Sequence, residues 1–93
     1  MMSDFTKYDE AKRRYDLVPY DALEQIIEVL EYGANKYDDH NWRKCEEPRR
    51  YWGAAMRHLT AWIRGERIDP ESGLSHLAHA GCCILFLIGL TND

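Results

Sequence analysis

Apolar residues recur every three or four positions in two stretches of the chain, and this spacing places side chains on one face of an α-helix. From about 20 to 37 the repeating residues are Leu23, Ile26, Ile27, Leu30, Ala34 and Tyr37. From about 48 to 64 they are Trp52, Ala55, Met56, Leu59, Trp62 and Ile63. We predict two helices that bury these faces, one starting at Pro19 and one that starts at Pro48 and ends at Gly65.

A third helix is predicted from about 70 to 89. Asp69 is suited to accept hydrogen bonds from the free backbone amides as an N-cap, and Pro70 suits the position after it. The segment 80–90 contains no charged residue and is apolar on every side. Two helices from the same short chain cannot cover such a segment all around, so we expect copies of the chain to associate as a dimer or a tetramer.

The predicted fold class is all-α, because no strand pattern of convincing length interrupts the helical ones. Three main helices would form a four-helix-like bundle through homo-oligomerisation. A length of 93 residues allows one domain. We divide it into an N-terminal arm at 1–18, which has no helical period, and a helical domain at 19–93.

The net charge of −4 argues against a general nucleic-acid binder and leaves room for cations. The start of the chain lacks the pattern of a signal peptide, and the apolar run 78–90 is too short to span a bilayer. We therefore expect a cytoplasmic protein with no nucleic-acid partner and no membrane partner. Cys82 and Cys83 are adjacent in an apolar run, which favours core packing, with a zinc site formed with His79 as the alternative.

Two rows of polar side chains are candidates for metal chemistry. On the first helix, Glu24, Glu28 and Glu31 align along one edge, where they either hold a hard cation such as magnesium or form a solvated face. On the third helix, Ser72, His76, His79 and Cys83 share a narrow arc. The two histidines either bind a ligand or are hydrogen-bonded scaffold.

Cations and aromatic groups elsewhere suit a nucleotide. Arg50, Arg57 and Arg64 recur every seven residues, with His58 beside Arg57, and face either phosphate oxygens or solvent. The groups that would stack on and read a purine base are supplied by Lys36, Tyr37, Asn41 and Trp42. The alternative for Trp42 is that it plugs the end of the bundle.

Several short segments form a familiar pattern over roughly residues 10–90, and its most specific block is 69–79. They are Arg14-Tyr15-Asp16-Leu17-Val18-Pro19, Tyr32-Gly33-Ala34, Lys36-Tyr37, Asn41-Trp42, Arg57-His58-Leu59, Gly65-Glu66 and Asp69-Pro70-Glu71-Ser72-Gly73-Leu74-Ser75-His76-Leu77-Ala78-His79-Ala80. This pattern resembles the phage dATP/dGTP diphosphohydrolase family, relatives or analogues of the MazG-like all-α nucleoside triphosphate pyrophosphohydrolases.

The resemblance implies hydrolysis of a purine deoxynucleoside triphosphate, dGTP or dATP, to the monophosphate and pyrophosphate. It also implies a homo-oligomer, Mg²⁺ or alternatively Mn²⁺ as cofactor, and the cytoplasm of a bacterial host if the chain is phage-encoded. One register places His76 and His79 where the MazG-like pattern has acids. Another register matches Glu24 and Glu28 to the first acidic motif and the segment 66–69 to the second.

Taken together, the residues and the resemblance predict a mixed site. Its predicted metal ligands are Glu24, Glu28, Asp69, Glu71, His76 and His79, and Glu24 or His79 would orient the attacking water. The predicted phosphate-binding residues are Lys12, Arg14, Lys36, Arg57 and His58, and the predicted base-binding residues are Tyr37, Asn41 and Trp42. The rival interpretations are a non-catalytic nucleotide-binding module and a structural helical oligomer.

Overall fold

A computed structural model describes residues 4–92 as a helical protein. The main helices are α1 (Tyr20–Lys36), α2 (Arg49–Ile63) and α3 (His76–Thr91), and short 3₁₀ helices cover Tyr15–Leu17 and Asn41–Lys44. Within this part of the chain there is no strand, only an isolated bridge between Ile68 and Ser75. The predicted all-α class with three main helices is confirmed. Residues 1–3 of the predicted arm and residue 93 of the predicted helical domain lie outside the described residues.

The first two helices begin and end within about one residue of their predicted bounds. Pro19 and Pro48 each directly precede a helix, where a missing backbone N–H leaves no hydrogen bond unmade. Gly65 follows α2 with a φ of 106°, a conformation that glycine adopts without a steric penalty. Across residues 4–92, none of the helices is both long enough and apolar enough to cross a membrane.

The predicted start of the third helix at Pro70 is wrong, because α3 begins at His76. Instead of capping a helix, Asp69 closes a turn: its backbone N–H donates to Leu74 O and its carbonyl accepts from Gly73 N, each at 2.8 Å. Gly73 makes this turn possible with a φ of 74°. We call the segment 68–75 the acidic turn.

The helix cap lies at the end of the acidic turn. Ser75 has extended backbone angles, and its hydroxyl accepts a hydrogen bond from Leu77 N. This is the arrangement that an N-cap serine provides. The cap that forms is six residues beyond the predicted one, because Gly73 lets the chain turn back before the helix starts.

Helix α3 packs against both α1 and α2 and carries most of the core. Val29 of α1 is buried against Ala78 and Cys82 of α3, with half-buried apolar side chains around them. Cys82 and Cys83 are free and buried, so the prediction of core packing is confirmed. Burial raises the pKa of the Cys82 thiol to about 12, which suppresses thiolate chemistry at that position.

The predicted buried face of α2 is largely wrong for a single chain. Its exposed fractions are 59% for Trp52, 43% for Met56, 37% for Leu59 and 72% for Ile63. Helix α2 instead faces α3 through Tyr51, Ala55 and His58, as shown by the ring contact of Tyr51 with Phe86, the 5% exposure of Ala55 and the hydrogen bond of His58 to His76. The inner face of α2 therefore includes polar His58 while most of the apolar stripe is exposed, and periodicity alone does not reveal which side of a helix faces its neighbour.

The indole of Trp42 packs the loop between α1 and α2 against the end of α3. Trp42 stacks on Phe86 with ring centroids 5.0 Å apart and planes within 12°. The same indole lies over Gly89, since a Cβ on that residue would stand 2.7 Å from Cη2 and 2.9 Å from Cζ3. The guanidinium of Arg43 covers the Trp42 ring at 4.5 Å. These contacts match the alternative in which Trp42 plugs the end of the bundle.

We predict that Gly89→Ala lowers the free energy of unfolding by about 1–3 kcal/mol, because the added methyl group overlaps a rigid indole. Alanine favours a helix over glycine by about 1 kcal/mol, so without a clash the substitution would stabilise the protein. A loss of stability therefore indicates the clash. Urea unfolding followed by circular dichroism measures it.

Gly33→Ala is the matched control. Gly33 also lies in a helix, but a Cβ there meets nothing within 4 Å. This variant should be as stable as the parent or more stable. A Gly89→Ala protein that unfolds at the same urea concentration as Gly33→Ala would show that the indole does not occupy this position.

Candidate functional site

A buried histidine connects α2, α3 and the segment between them. His76 is 5% exposed, and its Nε2 lies 2.7 Å from Glu66 Oε1 while its Nδ1 lies 2.8 Å from His58 Nδ1. An ionised carboxylate only accepts, so His76 donates from Nε2 to Glu66. In the tautomer in which His76 carries its proton on Nε2, its Nδ1 accepts from His58 Nδ1, and the lone pair of His58 is on Nε2.

A second hydrogen-bonded group links the acidic turn to α3. Ser72 Oγ lies 2.7 Å from His79 Nε2 and donates to Asp69 Oδ2 at 3.2 Å. His79 Nε2 is itself 3.4 Å from the same carboxylate oxygen. The Asp69 side chain also accepts from the backbone N–H of Glu71 at 3.2 Å. The closed conformation of the turn therefore brings Asp69 to the face of α3 that carries His79.

The two groups meet where the rings of His58 and His79 stack, with centroids 4.5 Å apart and planes within 11°. Burial lowers the pKa of both imidazoles, and each one's neighbouring histidines act in the same direction. Both rings are therefore neutral near pH 7 and offer a lone pair.

Asp69 is half-buried beside these rings and remains a carboxylate. Burial alone raises its pKa, but the hydrogen bonds from Glu71 N and Ser72 Oγ, with the nearby histidines, outweigh that effect. The net result is a lowered pKa for Asp69. The site thus combines one fixed negative charge with two neutral imidazoles.

A cationic side chain spans from α1 to the acidic turn. Lys36 Nζ lies 2.5 Å from Glu71 Oε2, and the hydroxyl of Tyr32 donates to the same oxygen at 3.0 Å. The hydrogen bond from Lys36 lowers the pKa of Glu71, and the same contact raises the pKa of Lys36 to about 12. Both groups are exposed, so an anion entering from solvent can compete with Glu71 for the ammonium group.

These groups open into one cleft of about 1330 Å³. Its wall follows α3 from His79 to Phe86, which are seven residues apart and hence separated by about 10 Å along the helix axis. The stacked imidazoles lie at the His79 end, and Trp42 of the loop 37–45 lies at the Phe86 end. Tyr37 of the same loop lies nearer the acidic turn, since its ring centroid is 5.4 Å from Lys36 Nζ. The predicted site residues that line this cleft are Lys36, Tyr37, Asn41, Trp42, Arg57, His58, Asp69, Glu71 and His79.

The remaining predicted site residues lie elsewhere. Glu24 and Glu28 are exposed on α1 and do not line the cleft. Lys12 and Arg14 precede α1, and Arg14 is paired with Asp16 at 2.8 Å. His76 lies behind His58 as its hydrogen-bond partner. The structure therefore unites the acidic turn, the third helix and the loop. It separates Glu24 and Glu28 from them, whereas Glu31 of the same helix lines the cleft.

Sequence reasoning missed two participants, Tyr32 and Glu66. Tyr32 lies one helical turn before Lys36, and that spacing was the available signal for a shared contact. Glu66 reaches His76 across ten residues of irregular chain, for which no periodic signal exists.

In the described part of the chain, the one cluster whose metal-ligand atoms all lie within 4.8 Å is His58, Asp69 and His79. The alternative zinc site with Cys82 and Cys83 is not assembled.

Two comparisons with known proteins agree on the family that this chain resembles. The family model described as dATP/dGTP diphosphohydrolase, N-terminal, matches residues 3–93. A protein of Salmonella phage PMBT28 named dATP/dGTP diphosphohydrolase is 31% identical over 87 residues, which is 94% of this chain. The chain spans 30% of the length of that relative. No solved structure shows a significant match to the chain.

We predict that the metal-free protein loses stability as the pH falls below about 6.5, the ordinary histidine pKa. His58 and His79 have lowered pKa values in the folded state, so the unfolded chain binds more protons between the lowered and the ordinary values. The free energy of unfolding therefore decreases with falling pH across that window. Urea unfolding in EDTA at a series of pH values measures the slope.

The double variant His58→Gln, His79→Gln should flatten this slope. His40→Asn is the control, because His40 is an exposed loop histidine with a left-handed backbone that asparagine tolerates. It should keep the parental slope. An unchanged slope in the double variant would assign the acid sensitivity to other groups.

Proposed function

The chain belongs to the dATP/dGTP diphosphohydrolase N-terminal family, and from that premise we propose that it binds dGTP or dATP and hydrolyses it to the monophosphate and pyrophosphate. The observation that carries the proposal is that one cleft contains three kinds of group. They are aromatic and amide side chains, exposed cations, and a cluster of two histidines with Asp69. Its two ends are about 10 Å apart along α3, a separation that suits a base at one end and phosphates at the other.

The purine base is assigned to the loop end of the cleft. Tyr37 is 63% exposed and Asn41 is half-buried, and both line the cleft. An exposed aromatic ring supplies a stacking surface, and a side-chain amide both donates to and accepts from a purine edge. Trp42 holds the loop in place, since Phe86 and Arg43 already cover its ring.

The triphosphate is assigned to Lys36 and Arg57, which both line the cleft, with Lys36 in contact with Glu71 of the acidic turn. Phosphate oxygens compete with Glu71 for the Lys36 ammonium group. Glu71 is then released as a carboxylate that accepts the proton of the attacking water. The oxygen of this water forms a bond to the α-phosphorus, the bond from that phosphorus to the bridging oxygen breaks, and pyrophosphate leaves with the electron pair.

A divalent cation, Mg²⁺ or Mn²⁺, is part of the proposal. Asp69 and His79 are the predicted metal ligands that lie side by side in the cleft, and His58 stands next to them. A cation held there would supply charge neutralisation on the phosphates and lower the pKa of a bound water. The donor set contains two imidazoles, which suit a transition-metal dication better than the oxygen-preferring Mg²⁺.

A second candidate function is nucleotide binding without turnover. It is favoured by the length of the phage relative, since the matched region is 30% of that protein. In this alternative the cleft selects the nucleotide and the remaining part of a longer protein would perform the chemistry. Nucleotides would raise the melting temperature of the chain, because they bind the folded state, but no pyrophosphate would appear.

We also propose that the chain works as a homo-oligomer that completes a four-helix-like bundle. The exposed stripe of α2, comprising Trp52, Met56, Leu59 and Ile63, is a continuous apolar face with no covering helix in the single chain. Helix α3 exposes a further apolar face at Leu77, Ile84 and Ile88. The Cα radius of gyration is 17.3 Å, whereas a compact domain of this length has about 12 Å.

We predict that the protein releases pyrophosphate from dGTP or dATP and that Asp69→Asn lowers the rate about 100-fold by removing the fixed charge of the cluster. Glu24→Gln, an equal change of charge outside the cleft, should remain within about twofold. A coupled pyrophosphate assay with Mg²⁺ and with Mn²⁺ measures both. Loss of activity in Glu24→Gln with retention in Asp69→Asn would move the site to the acids of α1.

We predict that the parent chain sediments as a dimer or a larger oligomer and that Met56→Lys shifts it toward monomer, because a buried charge in an apolar interface is unfavourable. Glu46→Lys, in the exposed segment before α2, is the control and should leave the sedimentation coefficient unchanged. Sedimentation velocity over a range of concentrations measures the distribution. A parent chain that stays monomeric at all concentrations would contradict the oligomer.

A further inference from the structure

Two neutral imidazoles and one carboxylate converge at the end of the cleft formed by the acidic turn. His58 comes from α2, Asp69 from the acidic turn and His79 from α3. Each has a ligand atom, and the three atoms all lie within 4.8 Å of one another. Because the donors come from three separate segments, their convergence is a property of the fold and not of helical periodicity.

We infer that His58, Asp69 and His79 form a binding site for a first-row transition-metal dication, such as Mn²⁺, in preference to Mg²⁺. Imidazole nitrogen suits first-row transition metals such as iron, nickel, copper and zinc, whereas Mg²⁺ is bound almost entirely by oxygen. The inference rests on the proposed function for the role of the ion, but binding itself is measurable without nucleotide.

Glu66 and His76 act as positioning residues for this site. His76 contacts Glu66 through Nε2 and His58 through Nδ1, and in the tautomer in which His76 Nδ1 accepts, His58 keeps a lone pair on Nε2 for the ion. Carboxylates that orient a metal-bound histidine through its other nitrogen serve the same purpose. Here the carboxylate acts through an intervening buried histidine.

The stacked rings have a consequence for ion binding. An imidazole donates its lone pair within its own plane, and the planes of His58 and His79 are nearly parallel at a centroid distance of 4.5 Å. One ring must therefore turn out of the stack before both can bind the same ion. A turn of His79 would exchange its contacts with Ser72 and Asp69 for the ion, whereas a turn of His58 would break its hydrogen bond with His76.

Isothermal titration of the metal-stripped chain with MnCl₂ and with MgCl₂, both without nucleotide, tests the inference. Mn²⁺ should bind about tenfold or more tightly than Mg²⁺. His58→Gln and His79→Gln should each weaken Mn²⁺ binding about tenfold or more, and Glu66→Gln should weaken it about tenfold through the relay. His40→Asn should leave the affinity unchanged. Equal affinity for the two ions, or parental Mn²⁺ affinity in both site variants, would overturn the inference.

A second measurement uses only the unmodified chain, so it does not depend on the folding of a variant. In proton NMR spectra, Mn²⁺ at substoichiometric amounts should broaden the ring signals of His58 and His79 before those of His40. Broadening of His40 first, or of all histidines together, would overturn the inference. Mn²⁺ binding without any pyrophosphate release would leave the metal site standing and remove the hydrolytic function, so the two failures are distinguishable.

Discussion

The hydrogen-bonded chain from Glu66 through buried His76 to His58 is the interaction on which the rest of the structure depends. It places polar His58 on the inner face of α2, while the apolar stripe containing Trp52 and Met56 faces solvent in the single chain. Leaving His76 without partners in the core would be costly, since an unsatisfied buried polar group costs about 1–3 kcal/mol. Helix α2 thus presents His58 to the cleft and an apolar stripe to solvent.

The acidic turn supplies the other half of the site through its backbone hydrogen bonds. Asp69 forms a closed turn with Leu74 and Gly73, and this places its carboxylate beside His79. Had the helix begun at Pro70, the same residue would have been a cap at the far end of a longer helix. The site therefore exists because the third helix starts late, and Glu71, which lies in the same turn, can meet Lys36 of α1.

Much of the fold could be predicted from the sequence, because Pro19, Pro48 and Gly65 mark helix ends through their own backbone chemistry. The start of α3 could not, since Asp69 and Ser75 are both good caps and the choice depends on a turn closed by Gly73. At the candidate site, nine of the predicted residues line one cleft. The partnership of His58 with His76 could not be predicted, because it depends on how α2 rotates against α3.

The central claim is that one cleft along α3 holds a purine nucleotide with its phosphates at the histidine and aspartate end. A crystal structure of the chain with Mn²⁺ and a non-hydrolysable dGTP analogue tests it most directly. The claim requires the base against Tyr37 and Asn41, the phosphates against Lys36 and Arg57, and the ion on Asp69 with at least one of His58 and His79. A nucleotide bound at the carboxylates of α1, or an ion held by Glu24 and Glu28, would contradict it.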